Sequence, residues 1–188
     1  MRLFIAYDFD ESTVRKISDI QNVLKKSAEK GRWPYYRNIH ITIKFIGEVD
    51  DQYLPEIEKT LDETFEELNV KPMMFQFDNL AFFRGKGSMR VAWIGLRGDI
   101  KYLVFLHNAI DHNLAGIGLK KETKAYIPHI TIGRDIFFES SLFELNERLK
   151  DLLEYQLSIK SATLFKSVQS GGKRVYQPLK TYHFSNKR

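Results

Sequence analysis

His40-Ile41-Thr42-Ile43 and His129-Ile130-Thr131-Ile132 are one tetrapeptide written twice in a chain of 188 residues. Four matching residues can recur by chance, but here the surroundings match as well. Each copy follows a segment with apolar residues three and four apart that ends at glycine. Before the first copy these are Val14, Ile17, Ile20 and Leu24, running from about Asp10 to Gly31. Before the second they are Ile100, Leu103, Ile110 and Leu114, with His107 filling the place between Leu103 and Ile110, running from near Asp99 to Gly116 and Gly118. That spacing is the apolar stripe of an amphipathic helix, and glycine is favoured just past a helix end. A further helical segment follows each copy. Leu54, Ile57, Leu61, Phe65 and Leu68 come after Asp50-Asp51, with Pro55 tolerated near the helix start. Leu145, Leu149 and Leu152 come after Ser141-Leu142-Phe143-Glu144, a capping-box pattern.

Between the helices lie runs rich in β-branched and aromatic residues, which read as strands. They are Leu3–Tyr7, Ile39–Ile46, Met73–Phe77, Met89–Leu96, Ile130–Ile132, Gln156–Phe165 and Arg174–Phe184. Arg84-Gly85-Lys86-Gly87 and Ser170-Gly171-Gly172-Lys173 supply turn chemistry for two hairpins. The order helix, motif strand, helix, strand, strand thus occurs twice. It predicts an α+β fold of two pseudo-symmetric lobes, each an antiparallel sheet with helices on its outer side, with the motif strands facing a central cleft. No Pro- or Gly-rich linker divides the chain, so residues 1–188 are expected to form one bilobal domain.

Composition narrows the function classes. Hydrophobic residues are 43% and aromatics 13%, enough for a packed core, while 28% charged residues of both signs exclude a low-complexity chain. No apolar run approaches the roughly 20 residues of a membrane span, and no secretory signal is read at the N-terminus. With no cysteine, disulfides, thiolate zinc sites and cysteine nucleophiles are all excluded. A cytoplasmic, monomeric protein is expected. The 29 Lys and Arg against 24 Asp and Glu leave a net charge of +5, which permits a polyanionic partner such as RNA without demanding one.

Alternate residues of a strand point to opposite faces, so His and Thr two apart share one face while the isoleucines enter the lobe behind. A single such strand is ordinarily structural. Two in corresponding places bring two imidazoles and two hydroxyls to one site. Two histidines suit phosphodiester chemistry, one as base and one as acid, because imidazole titrates near neutrality. The hydroxyls of Thr42 and Thr131 are placed to donate to non-bridging phosphate oxygens. A metal site is the first rival, yet neutral hydroxyls are weak ligands and no third His or paired carboxylate adjoins either motif. His107, His112 and His183 read as structural or surface residues. Neither a Gly-rich phosphate loop nor a nucleophile elbow is present.

These motifs resemble the two-histidine phosphoesterase superfamily, in particular its RNA 2′,3′-cyclic phosphodiesterase branch, once called 2′–5′ RNA ligases. Arg2-Leu3-Phe4-Ile5-Ala6 is similar to the family's first strand. Arg32-Trp33 and Asn38 through Glu48 resemble its first motif block, and Pro128 through Arg134 its second. Leu164-Phe165-Lys166-Ser167, Gly172 and Tyr176 resemble its C-terminal signature. Two departures are Gly133, where many relatives carry alanine, and the loop Pro34-Tyr35-Tyr36-Arg37. The resemblance implies hydrolysis of a 2′,3′-cyclic phosphate at an RNA end, or in a small cyclic nucleotide, to a 2′-phosphomonoester without a cofactor or metal. It further implies that His40 is the proton donor and His129 the proton acceptor. A 2′–5′ phosphodiesterase or ligase at the same site, or a non-catalytic RNA-binding module, are the alternatives.

Other candidates stand beside the motifs. Arg134 directly follows the second, and its guanidinium could contact phosphate or brace the site. Lys44 has the parity of His40 and Thr42, which would add positive potential to the cleft. Trp33, Tyr35, Tyr36 and Phe45 are candidates for stacking on a base, with Tyr35 and Phe45 taken as substrate contacts; core packing is the competing role.

Overall fold

The computed structural model describes residues 1–85 and 89–185. Nine strands and four α-helices run in the order β1 (Arg2–Tyr7), α1 (Glu11–Lys25), β2 (Ala28–Arg32), β3 (Ile41–Glu48), α2 (Leu54–Leu68), β4 (Met73–Arg84), β5 (Met89–Gly98), α3 (Ile100–Gly116), β6 (Ile130–Phe138), α4 (Leu142–Leu153), β7 (Gln156–Ile159), β8 (Ser161–Ser170) and β9 (Lys173–His183) among the described residues. They build two antiparallel sheets, one ordered β3-β1-β8-β9 and the other β2-β6-β5-β4-β7. The expected α+β architecture is present. Each sheet carries one of the motif strands, β3 in the first and β6 in the second.

Local chemistry fixes the helix ends. Asp10 caps α1 by accepting from the Thr13 amide at 2.7 Å. Ser141 and Glu144 close a complete capping box on α4. Pro55 sits in the first turn of α2, where its missing N–H costs nothing, and Asn69 ends that helix in the left-handed conformation. Helices α2 and α3 pack on the four-stranded sheet, and α1 and α4 on the five-stranded one.

The lobes are interwoven. β1 lies in the first sheet, yet α1, which follows it, packs against the second before β3 returns to the first. β5 lies in the second sheet, α3 packs against the first, and β6 returns to the second. The first helix of each repeat therefore covers the sheet that holds the other repeat's motif. Three sequence expectations are corrected. Helix α1 ends at Lys25 and not Gly31, because Ala28–Arg32 pairs with β6 as an edge strand. Gly31 is there for close approach, since a Cβ would lie 3.0 Å from Ile136 Cγ1. The run Gln156–Phe165 is two strands, because the chain leaves one sheet at Ile159 and enters the other at Ser161. Of the two expected turns, Gly171 and Gly172 take the positive φ that links β8 to β9, whereas Lys86 and Gly87 lie outside the described residues.

The third correction concerns Lys44. Against β1, Ala6 pairs with Thr42 but Ile5 pairs with Lys44, so Ile43 is an extra residue in β3. Against β5, Trp93 pairs with Thr131 and Ala92 with Gly133, so Ile132 is an extra residue in β6. Each motif thus carries a β-bulge at its fourth residue, which shifts the alternation of side chains by one place. Lys44 turns inward with the isoleucines and is 4% exposed. Its ammonium donates to Asp111 of α3 at 2.5 Å and to the Lys120 carbonyl at 2.9 Å. Phe45, one place further on, takes the cleft face instead.

Lys44→Met should leave Asp111 a buried carboxylate without its cation, at a cost of about 3–5 kcal/mol. The double variant Lys44→Met/Asp111→Leu should recover at least half of that loss in urea unfolding. A single-variant loss below about 1 kcal/mol, the range of an exposed pair, would contradict the burial.

Candidate active site

Between the sheets lies a cleft of about 980 Å³. His40 and Thr42 face it from one sheet, and His129 and Thr131 from the other. The two imidazoles are held in the same way. His40 Nδ1 donates to the Asn38 carbonyl at 2.8 Å, and His129 Nδ1 to the Ile127 carbonyl at 2.7 Å. A carbonyl only accepts, so in the neutral ring the proton sits on Nδ1 and Nε2 keeps its lone pair. For His40, that lone pair accepts from the Thr42 hydroxyl at 3.0 Å.

Aromatic rings flank both histidines. Phe4 and Tyr176 lie 5.0 and 5.3 Å from His40, ring centre to ring centre. Phe83 and Trp93 lie 5.6 and 5.7 Å from His129. Burial in this setting disfavours the charged imidazolium. It pushes His40 down to about 4, with the Asn38 carbonyl opposing and the charges of His129 and Arg134 adding to the depression. Burial also lowers His129, opposed by the Ile127 carbonyl and assisted by Arg134. Both rings are therefore neutral near pH 7 in the free protein.

The wall of the cleft is cationic. Arg2, Arg32, Arg134, Lys173 and Arg174 line it, with no Asp or Glu among the described lining residues. Arg32 is engaged by Asp135, and Arg2 lies over the Phe45 ring at 4.7 Å. Arg134 holds the place after the second bulge that Phe45 holds after the first, and both line the cleft. Lys44 is the one site candidate that the bulge removes. Tyr35, 55% exposed, stands at the cleft wall beside Trp33, and its ring centre is 4.5 Å from that of Tyr36. Gly133 packs against Ile136, and a Cβ there would run into the tip of that side chain, so an alanine would require it to rotate. His107 is buried in α3, while His112 and His183 lie on the surface.

Sequence reasoning gave no site role to Arg2, Phe4, Asn38, Phe83, Trp93, Lys173, Arg174 or Tyr176. Register could have found Trp93, which lies directly across from Thr131. Asn38 could have been found as the residue two before a histidine. Its side chain also donates to the Arg174 carbonyl at 2.8 Å, tying the β8–β9 hairpin to the first motif. Arg2 and Arg174 come from the chain's two ends and have no local signature. Among the described residues no helix is long and apolar enough to cross a membrane, and no three His, Cys, Asp or Glu side chains are grouped to hold a metal ion.

Fold and site together define a two-lobed protein with a duplicated His-x-Thr strand on either side of one anion-attracting cleft. The family model described as the 2′-5′ RNA ligase superfamily matches residues 9–170, and the chain belongs to that superfamily. It is 34% identical over 188 residues to the RNA 2′,3′-cyclic phosphodiesterase of Methanocaldococcus jannaschii, covering 97% of this chain and 100% of that one. The protein of the same name from Thermotoga maritima is 28% identical, over 95% and 93% of the two chains. Among solved structures, Escherichia coli LigT complexed with 3′-AMP is similar with a TM-score of 0.76 at 25% identity, over 98% of both chains.

The electrostatics carry a sign that titration can read. A cation near an imidazole opposes its protonation and an anion favours it. Arg134→Gln should therefore raise the pKa of both His40 and His129, and inorganic phosphate should raise them in the unaltered protein. Histidine NMR titration measures both. A downward or absent shift in Arg134→Gln would show that the guanidinium does not act on the rings.

Proposed function

We propose that this chain is an RNA 2′,3′-cyclic phosphodiesterase that opens the cyclic phosphate to a 2′-phosphomonoester, with His40 as acid, His129 as base and residues 1–188 acting as one bilobal domain. The observation that carries this reading is the pair of imidazoles fixed alike through Nδ1, so that Nε2 of each serves one cationic cleft. The names of the relatives support the substrate class.

In this scheme a water attacks phosphorus while His129 Nε2 takes its proton. The bond from phosphorus to the 3′ oxygen breaks, and His40 Nε2 gives its proton to that oxygen. The product carries a 2′-phosphate and a free 3′-hydroxyl, and solvent exchange returns the proton from His129 to His40. Acid and base must lie on opposite sides of phosphorus, and the placement of the two motifs in different sheets that border one cleft supports this. An imidazole held near 4 is a strong acid once protonated, and the bound phosphate's negative charge supplies the bias that charges it. Protonation of Nε2 also frees the Thr42 hydroxyl, which then donates to a non-bridging oxygen, with Thr131 in the matching place on β6. Arg134 contacts the phosphate, and Tyr35 and Phe45 take the base.

The test is hydrolysis of 2′,3′-cyclic nucleotides in the presence of chelator, with product position read by phosphorus NMR. His40→Ala and His129→Ala should each lose roughly 10²–10⁴-fold in turnover, and the double variant little more than either. Near-normal activity in either single variant, or a 3′-phosphate product, would overturn the scheme. Thr42→Val and Thr131→Val should each lose very roughly 10- to 100-fold in kcat/KM, the worth of a charge-assisted hydrogen bond, while the serine variants retain more. Full activity in a destabilised valine variant would remove that threonine from the site.

A further inference from the structure

The two bulges leave a buried carbonyl at the same place in each motif, and each is met by a side chain from a helix of the other repeat. Gln21 of α1, 2% exposed, donates from Nε2 to the Ile132 carbonyl at 2.9 Å. His107 of α3, 4% exposed, donates from Nδ1 to the Ile43 carbonyl at 2.7 Å. Ile132 and Ile43 are the extra residues of the two bulges, three places beyond His129 and His40.

We infer that Gln21 and His107 are a matched pair of positioning residues that hold the two motif bulges in register and so set where the catalytic histidines and the cleft-facing Phe45 and Arg134 stand. The inference rests on the reading of His40 and His129 as acid and base. The correspondence argues for a role beyond filling space. Glutamine and histidine share no shape, but both offer an N–H on a side chain that reaches from a buried helix face, and both meet the same carbonyl. A bulge can slide or flatten when its unpaired backbone groups lose their partners, because an extra residue fits the ladder equally badly at neighbouring positions. Slippage by one place would return Lys44 and Gly133 to the cleft and withdraw Phe45 and Arg134. Around His107 the hold is reinforced: its ring stacks at 4.0 Å on Tyr126, whose hydroxyl donates to the Thr42 carbonyl at 2.8 Å. Tyr126 in turn stands three residues before His129, so the brace on the first motif reaches the segment that delivers the second histidine.

The variants Gln21→Met and His107→Phe remove the donor while keeping most of the volume, and His107→Gln keeps a donor of the kind the other lobe uses. On a 2′,3′-cyclic nucleotide, Gln21→Met and His107→Phe should each lose about tenfold or more in kcat, with KM little changed, because a small displacement of acid or base is felt in the transition state. His107→Gln should retain more kcat than His107→Phe. A merely structural role instead lowers Tm and leaves kcat per folded molecule unchanged; that result in both Gln21→Met and His107→Phe would overturn the inference. So would His107→Gln as impaired as His107→Phe, since the ring and not the donor would then be at work. The imidazole nitrogen shifts, with and without inorganic phosphate, give an arm independent of turnover. His40 should shift in His107→Phe and His129 in Gln21→Met, and unchanged shifts in both would overturn the inference even if the protein opened no cyclic phosphate. Inactive wild-type protein would strike the proposed reaction alone.

Discussion

The first helix of each repeat crosses to the sheet that bears the other repeat's motif, and most of the remaining architecture depends on this crossing. A β-bulge under a helix leaves a backbone carbonyl without a ladder partner. A buried, unpaired carbonyl costs about 1–3 kcal/mol. The crossing helix meets that carbonyl with a buried N–H, from Gln21 on one side and His107 on the other. Neither repeat can complete its own motif, because the partner it needs is encoded in the other half of the chain. The two histidines are thereby brought to a common frame by interleaving.

The same construction explains the electrostatics. The cleft is closed behind by buried isoleucines on both strands and flanked by rings around each imidazole. In such surroundings a positive ring is disfavoured, and Arg134 adds to the effect. A site of this kind prefers to be neutral at its centre and cationic on its walls while it waits for an anion. On the proposed reading the phosphate serves two purposes: it satisfies the arginines, and its negative charge offsets the cost of an imidazolium beside it.

How much of this could be read from the sequence depends on the range of the interaction concerned. The helices, the motif strands and their twofold order were legible because spacing and capping are local: Asp10 and Ser141 act within a few residues of where they stand. Gly31 misled because glycine ends helices and also admits a close neighbour, and only the fold shows Ile136 pressing there. The split at Lys160 was hidden because a strand that changes sheets keeps its composition. Lys44 misled for a sharper reason. Parity along a strand is a sound rule until an extra residue enters, and nothing near Ile43 announces the bulge. The side chain that meets its carbonyl, His107, lies far along the chain. His107 read as a structural or surface residue and is buried, yet the carbonyl it meets could not be named without the fold. The cationic cleft was visible only as a modest net charge, since Arg2, Arg134 and Arg174 converge from distant segments.

Two-fold frames face a difficulty when the chemistry they host is asymmetric, because an acid and a base are needed from two copies of one motif. Here the backbone keeps the symmetry and the side chains at equivalent places break it. One place past the bulges, Lys44 stands on one strand and Gly133 on the other; two places past, Phe45 and Arg134 do. His40 is deep enough to be held near 4 and shares its Nε2 with a threonine hydroxyl. His129 has a tryptophan and a phenylalanine around it in place of a phenylalanine and a tyrosine. On the proposed reading, the frame fixes where the two protons are exchanged. The differences between matched positions then decide which ring gives its proton and which receives one.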